Sequence, residues 1–185
     1  AAVVLLHGAG STRSDVLDQA VVLARSGYGV LMIDARGHGD SSGAAMDFGW
    51  YGDLDIAAGT EFLLTQSDVD PRQIALVGMS MGGEEAIGAA PANPAIAAVV
   101  AEGATGRTSS DKAWLSEEYG WRGAVQEQFE KAQFWVVDYL TESAPPVSLR
   151  SAVAGSHDTR FLMITAGEVP DEAAAAEFIV SGAPD

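Results

Sequence analysis

The stretch IALVGMSMGGEEAIGAA, residues 74–90, decides how the rest of the chain is read. Ile74 to Val77 is a short run of aliphatic residues, the pattern of a buried strand. It ends abruptly in Gly-Met-Ser-Met-Gly-Gly, after which small and apolar residues recur at helical spacing. A serine fenced by glycines between a strand and a helix is more than a plain turn requires. A hydroxyl becomes a useful nucleophile only when it is exposed to a base and held in a fixed position. Holding it in a sharp strand-to-helix turn forces the chain into a strained conformation. Gly78 and Gly82 then have to lack side chains. In that reading Ser80 is the nucleophile, and the N–H of Met81 points from the helix start toward a carbonyl oxygen under attack. The competing reading is a tight turn in which Ser80 caps the following helix.

Working outward, Val3 to Leu6 and Tyr28 to Ile33 read as buried strands. Gln73 to Gly78, Ile96 to Ala101 and Phe161 to Thr165 complete a set of five. Helical patterns lie between them. One has Ser14 or Asp15 as its expected cap and Gly27 at its end; others span about 52–66, the segment from Ser80 to Pro91, and about 171–180. Apolar strands alternating with helices predict an α/β fold with a mostly parallel sheet covered by helices on both faces. Residues 104–150 break the rhythm. Seven aromatics fall between Trp114 and Tyr139 in helical patterning, which predicts a small helical cap inserted into a core made of 1–103 and 151–185.

Two more loops carry candidate chemistry. In LLHGAGSTRSD the glycines after the first strand let backbone N–H groups approach a developing oxyanion, with Ala9 as the expected second donor. A phosphate-cradling reading of this loop fails, because Arg13 stands where the last glycine of G-x-G-x-x-G is needed and no G-x-x-x-x-G-K-[ST] exists. His7 is read as orienting the loop. In IDARGHGDSSG, Asp34, Arg36 and His38 are read as holding a constrained, glycine-marked loop together by hydrogen bonds.

HGAG, then DARGHGDS, then GMSMGG, then LMITAGEVPDE, in this order and spacing, resemble the α/β-hydrolase family over essentially the whole chain. That resemblance implies Ser80 as nucleophile, Ala9 and Met81 as the oxyanion hole, and an acid after the strand that ends near Thr165. Asp171 is the candidate acid by the resemblance, with Glu168, Glu172 and Glu102 as rivals. The alternative for Asp171 is an N-cap or first-turn acid stabilising the helix dipole. The family's histidine, which follows the acid, is missing: His7, His38 and His157 all precede Asp171. His157, ahead of the last strand, is read as an exposed loop residue. Both ends are expected to be cuts through a fold, with the histidine beyond Asp185.

The function the resemblance implies is hydrolysis of an ester, thioester or amide through an acyl-serine. An inactive binding protein and an acyltransferase are the alternatives. A serine at the elbow disfavours haloalkane dehalogenation. The partner is expected to be a small acyl substrate, with Trp114, Trp121 and Trp135 as candidate walls of an apolar pocket or, alternatively, as the cap's own core.

The net charge of −16 argues against nucleic acid and anionic membranes as partners. The absence of cysteine excludes disulfides and thiolate metal sites. No apolar run approaches the roughly 18 residues of a membrane span. No cofactor or metal is expected, since the histidines are scattered and no ligand-spaced cluster appears. A cytoplasmic location is slightly favoured by the lack of a visible signal peptide. Oligomeric state stays open.

Overall fold

The computed structural model describes residues 1–43, 52–141, 144–167, 169 and 171–183. The five expected strands form one parallel sheet: β1 (Ala2–Leu6), β2 (Gly29–Met32), β3 (Ile74–Met79), β4 (Ile96–Glu102) and β5 (Arg160–Ile164), in the order β2-β1-β3-β4-β5. The crossovers are helical. Helix α1 (Leu17–Arg25) links β1 to β2, α2 (Gly52–Leu64) precedes β3, and α3 (Met81–Ala89) follows it; α6 (Leu149–Gly155) leads into β5 and α7 (Glu172–Val180) follows.

The alternation along β1 sorts the core into two layers. Ala2, Val4 and Leu6 pack with Ile56, Ile87, Leu149, Val153 and Ile179 on the face that carries α2, α3, α6 and α7. Val3 and Leu5 pack against Val16 and Ala20 at the α1 face. Burying strand residues on both faces is what permits continuous apolar strands in a parallel sheet.

At α1 the cap differs from expectation. Thr12 caps a short 3-10 turn ahead of the helix, and Asp15 closes the capping box from its third position. The glycine loop gave Thr12 the extended backbone that a cap needs.

Between β4 and α6 the chain forms α4 (Leu115–Tyr119) and α5 (Trp121–Leu140). Leu149, Ala152 and Val153 of α6 belong to the main core, so the change from insertion to core falls at the start of that helix. The insertion is fastened by Arg107, which is fully buried and pairs with Asp53 at 2.7 and 3.1 Å. Its Nε donates to the Val147 carbonyl. Gly88 of α3 makes room for this guanidinium: a Cβ there would meet Arg107 Nη2 at 1.8 Å. Asp111, also buried, accepts from the N–H groups of Arg107, Thr108 and Leu149 and so joins both ends of the insertion.

Candidate active site

The chain runs outward from β1 to β2, then returns across β1 to β3. Loops leaving the C-terminal ends of β1 and β3 therefore diverge at a topological switch point, where α/β sheets bind ligands. Ser80 leaves β3 there and Gly8–Ala9 leave β1.

Ser80 has φ 51° and ψ −119°. That is the conformation of the first central residue of a type II′ turn, which favours glycine. Close backbone packing holds it there. A Cβ on Gly78 would lie 2.2 Å from the Gly82 carbonyl oxygen, and one on Gly82 would lie 2.6 Å from the His7 carbonyl oxygen. The Ser80 N–H donates to the Glu102 carbonyl at 2.7 Å, tying the turn to the end of β4. The side chain is exposed, caps nothing, and has no hydrogen-bond partner among the described residues.

Ser80, Ala9 and Met81 line one cavity of about 500 Å³, together with Glu84, Thr105, Gly106, Lys112, Glu130, Gln133 and Phe134. The β1 loop touches the turn directly, since a Cβ on Gly8 would lie 3.5 Å from Ser80 Cβ. The N–H groups of Ala9 and Met81 have no acceptor among the described residues, which leaves two donors free beside the serine.

The histidines are placed otherwise. His7 is buried and its Nε2 accepts from the Ala35 N–H at 3.0 Å, so it orients the loops as expected. His38 Nε2 accepts from Gly10 N–H. Asp34 accepts from the N–H groups of Arg13 and Asp40 and from the Arg13 guanidinium. Those bonds hold its carboxyl below the usual range despite burial. His157 is exposed and precedes β5, at the opposite end of the sheet from Ser80.

Asp171 lies beyond the C-terminal end of β5, at φ 70° and ψ −13°. It stands at the N-cap position of α7, where a negative charge suits the helix dipole, but its side chain accepts no bond from the first helical N–H groups. Instead Oδ1 accepts from Tyr119 Oη of the insertion, and that bond raises the phenol's pKa. Among the described residues, Ser80 and Asp171 are the two non-glycine residues with positive φ. Strained backbone gathers at functional sites.

Glu172 spends its Oε2 on the Ala166 N–H at 2.7 Å, closing the loop after β5. Glu102 ends β4 with an exposed side chain. Glu168 lies outside the described residues.

The tryptophan expectation needs correcting, because none of the three lines the Ser80 cavity. Trp114 is buried with Leu115, Ala175 and Phe178 between insertion and α7, the alternative core role. Trp121 is 74% exposed, and Trp135 borders a separate groove with Pro145 and Pro146. Trp114 precedes α4, and helical spacing placed Trp121 and Trp135 on faces of α5 that turn away from the serine. The cavity instead mixes apolar lining from Ala9, Met81 and Phe134 with the polar side chains of Glu84, Lys112, Glu130 and Gln133.

Sequence reasoning also missed Glu84, one turn after Ser80. Its Oε1 accepts from the N–H groups of Thr105 and Gly106 at 3.0 and 2.9 Å, yet burial pushes its carboxyl up to about 7. The available signal was its place in the first turn of the helix that Ser80 opens. Among the described residues no cluster of His, Cys, Asp or Glu could hold a metal, and no helix is long and apolar enough to cross a membrane.

Comparison with known proteins agrees with this architecture. The chain is similar to GrgF, an α/β hydrolase from Penicillium sp. sh18, at 14% identity and TM-score 0.65, covering 100% of this chain and 78% of that one. It is similar to the esterase Pf2001 of Pyrococcus furiosus at 21% identity and TM-score 0.65, covering 99% and 69%. At these identities the likeness speaks for the fold. Among curated sequences it is 38% identical over 99 residues to the uncharacterized protein Rv2307c of Mycobacterium tuberculosis (strain ATCC 25618 / H37Rv). That match covers 54% of this chain and 34% of the relative, so the chain spans about a third of that relative's length. The family model described as "Serine aminopeptidase, S33" matches residues 1–151. With that share of its length matched and the same fold in its structural neighbours, the chain belongs to this family of α/β hydrolases.

Proposed function

We propose that the protein is a serine hydrolase that cleaves a carboxylic ester, thioester or amide through an acyl-serine intermediate. The observation that carries this reading is Ser80: an exposed, unbonded hydroxyl at φ 51°, in a cavity with two unspent N–H donors. In this mechanism Ser80 Oγ attacks the substrate carbonyl carbon. A general base takes the hydroxyl proton, and the Ala9 and Met81 N–H groups receive the charge that develops on the carbonyl oxygen. The bond to the leaving group breaks as the base returns the proton to it. Water then attacks the acyl-serine, releasing the carboxylic acid and restoring the hydroxyl.

The base is a histidine outside these 185 residues, since His7, His38 and His157 are engaged or remote. Asp171, already hydrogen-bonded and strained, is its orienting acid. The substrate is a small acyl compound, and the charge of −16 works against polyanions such as nucleic acid.

The test is fluorophosphonate labelling of the intact protein. Ser80 should be modified, and Ser80→Ala should abolish both label and turnover, on the order of a 10⁶-fold loss in kcat when nucleophile and base act as a unit. Intact protein that stays unlabelled would overturn the reading and favour an inactive binding protein. A histidine roughly 20–50 residues beyond Asp185 in the parent reading frame, given ordinary element and loop lengths, is the matching sequence observation.

A further inference from the structure

The Ser80 cavity contains a carboxyl group that the mechanism above does not use. Glu84 follows Ser80 by one helical turn, and its N–H donates to the Ser80 carbonyl at 3.1 Å. Ser80 itself precedes the helix at φ 51°, and both residues line the same cavity. The carboxyl is fixed rather than free to swing: both hydrogen bonds from the loop after β4 go to Oε1. Oε2 accepts nothing among the described residues and is not among the buried orphan atoms, so it opens onto the cavity. Lys112, on the cavity wall, donates to the Thr105 carbonyl at 3.2 Å, within the same loop. Glu130 and Gln133 of α5 close the side contributed by the insertion. A plain alkyl chain in this space would strip water from Glu84 Oε2 and give nothing back, which is costly for a polar group.

We infer that Glu84 is a specificity-determining residue, its free Oε2 accepting a hydrogen bond from a hydroxyl or amine carried on the acyl group a few bonds from the scissile carbonyl. The inference rests on the acyl-serine reading and deepens it. It concerns the acyl part because that part stays bonded to Ser80 after the leaving group has gone, within reach of the next helical turn. Oxygen and nitrogen donors share the required chemistry.

The experiment uses the intact protein and the p-nitrophenyl esters of butanoic, 3-hydroxybutanoic and 3-aminobutanoic acid. At roughly pH 8.5, above the value of about 7 to which burial raises Glu84, at least one donor-bearing ester should exceed the butanoate in kcat/KM by about tenfold, as a hydrogen bond to a charged acceptor can supply. Whether the hydroxyl or the amine leads identifies the source. Glu84→Gln keeps an oxygen for the Thr105 and Gly106 N–H groups but turns Oε2 into a donor, so it should lower that ratio to one or below. Glu84→Leu should bring it to about one. A wild-type ratio of one or less overturns the inference without reference to any variant, as does a preference that survives in Glu84→Gln. Fluorophosphonate has no such acyl chain, so the two readings fail differently. A labelled Ser80 with a flat ratio removes this inference alone, and an unlabelled Ser80 removes the reading beneath it as well.

Discussion

The turn after β3 and the turn after β5 both hold a non-glycine residue at positive φ, Ser80 at 51° and Asp171 at 70°, but they hold it by different means. Around Ser80 the constraint is backbone against backbone: Gly78 on Gly82, and Gly82 on Leu6 and His7. Around Asp171 the constraint comes from side chains: the bond from Tyr119, 52 residues away, and the bond from the Ala166 N–H to Glu172 Oε2 that closes the loop. Strain that packing over-determines comes with local glycines and is visible as a motif. Strain that a remote contact supports leaves no local mark.

The largest expected effect breaks the first of these turns. Gly78→Ala places a methyl group 2.2 Å from the Gly82 carbonyl oxygen and 2.5 Å from the Gly83 nitrogen, neither of which is a flexible side chain. Relief requires moving α3 off the sheet. The loss should exceed about 3 kcal/mol, beyond the usual cost of overpacking, and urea midpoints measure it. An alanine at Gly167, beside the second turn, meets nothing within 4 Å and should be far milder.

This contrast also accounts for what the sequence made legible. Apolar strands, the G-M-S-M-G turn and the role of His7 as a loop tie were readable because each is written in neighbouring residues. Arg107 was not, since its meaning lies in Asp53 and in the missing side chain of Gly88. Tyr119 was invisible as a partner of Asp171 for the same reason. The tryptophans were placed in the wrong pocket because composition reports that an insertion is aromatic, while the rotation of α5 decides which aromatics face the serine. Nothing in the neighbouring residues marks Glu84 and Glu85 as cavity or core acids, yet α3 buries Glu85 to 1% exposure.

Those two carboxyls make pH a second way to separate the turns. Burial pushes Glu84 from 4.5 to about 7, against the pull of the Gly106 and Thr105 N–H groups and of Lys112, with Asp111 adding to the rise. Burial likewise pushes Glu85 well up, helped by Asp55 and opposed by Arg107. A folded-state pKa above the unfolded one means the folded chain holds a proton that the unfolded chain releases. The favourable contribution is complete below about pH 4.5 and is lost as pH rises through 7. For Glu84 that is on the order of 3–3.5 kcal/mol at roughly 1.36 kcal/mol per pH unit. Urea unfolding at pH 5, 6, 7 and 8 should therefore show wild type losing ground to Glu84→Gln as pH rises. Parallel curves would show that Glu84 does not hold its proton.

The smallest effect is the sharpest comparison, because it replaces each strained residue by glycine. Ser80 occupies a region that side chains almost never enter, at a cost on the order of 1–3 kcal/mol, and its hydroxyl bonds to nothing among the described residues. Ser80→Gly should thus stabilise the fold by about 2 kcal/mol, whereas Ser80→Ala keeps the Cβ and gains almost none of it. Asp171 is in the ordinary left-handed region, which an aspartate tolerates, and glycine recovers only about 1 kcal/mol there. Asp171→Gly also deletes the acceptor of the Tyr119 hydroxyl, and a hydrogen bond of this kind contributes about 1 kcal/mol net. The two terms cancel, so Asp171→Gly should leave the urea midpoint nearly unmoved while Ser80→Gly raises it. A clear gain in Asp171→Gly would mean that Tyr119 adds nothing to the turn. A loss in Ser80→Gly would mean that the elbow is not strained, and the mechanical reason for the glycines around it would fall with that result.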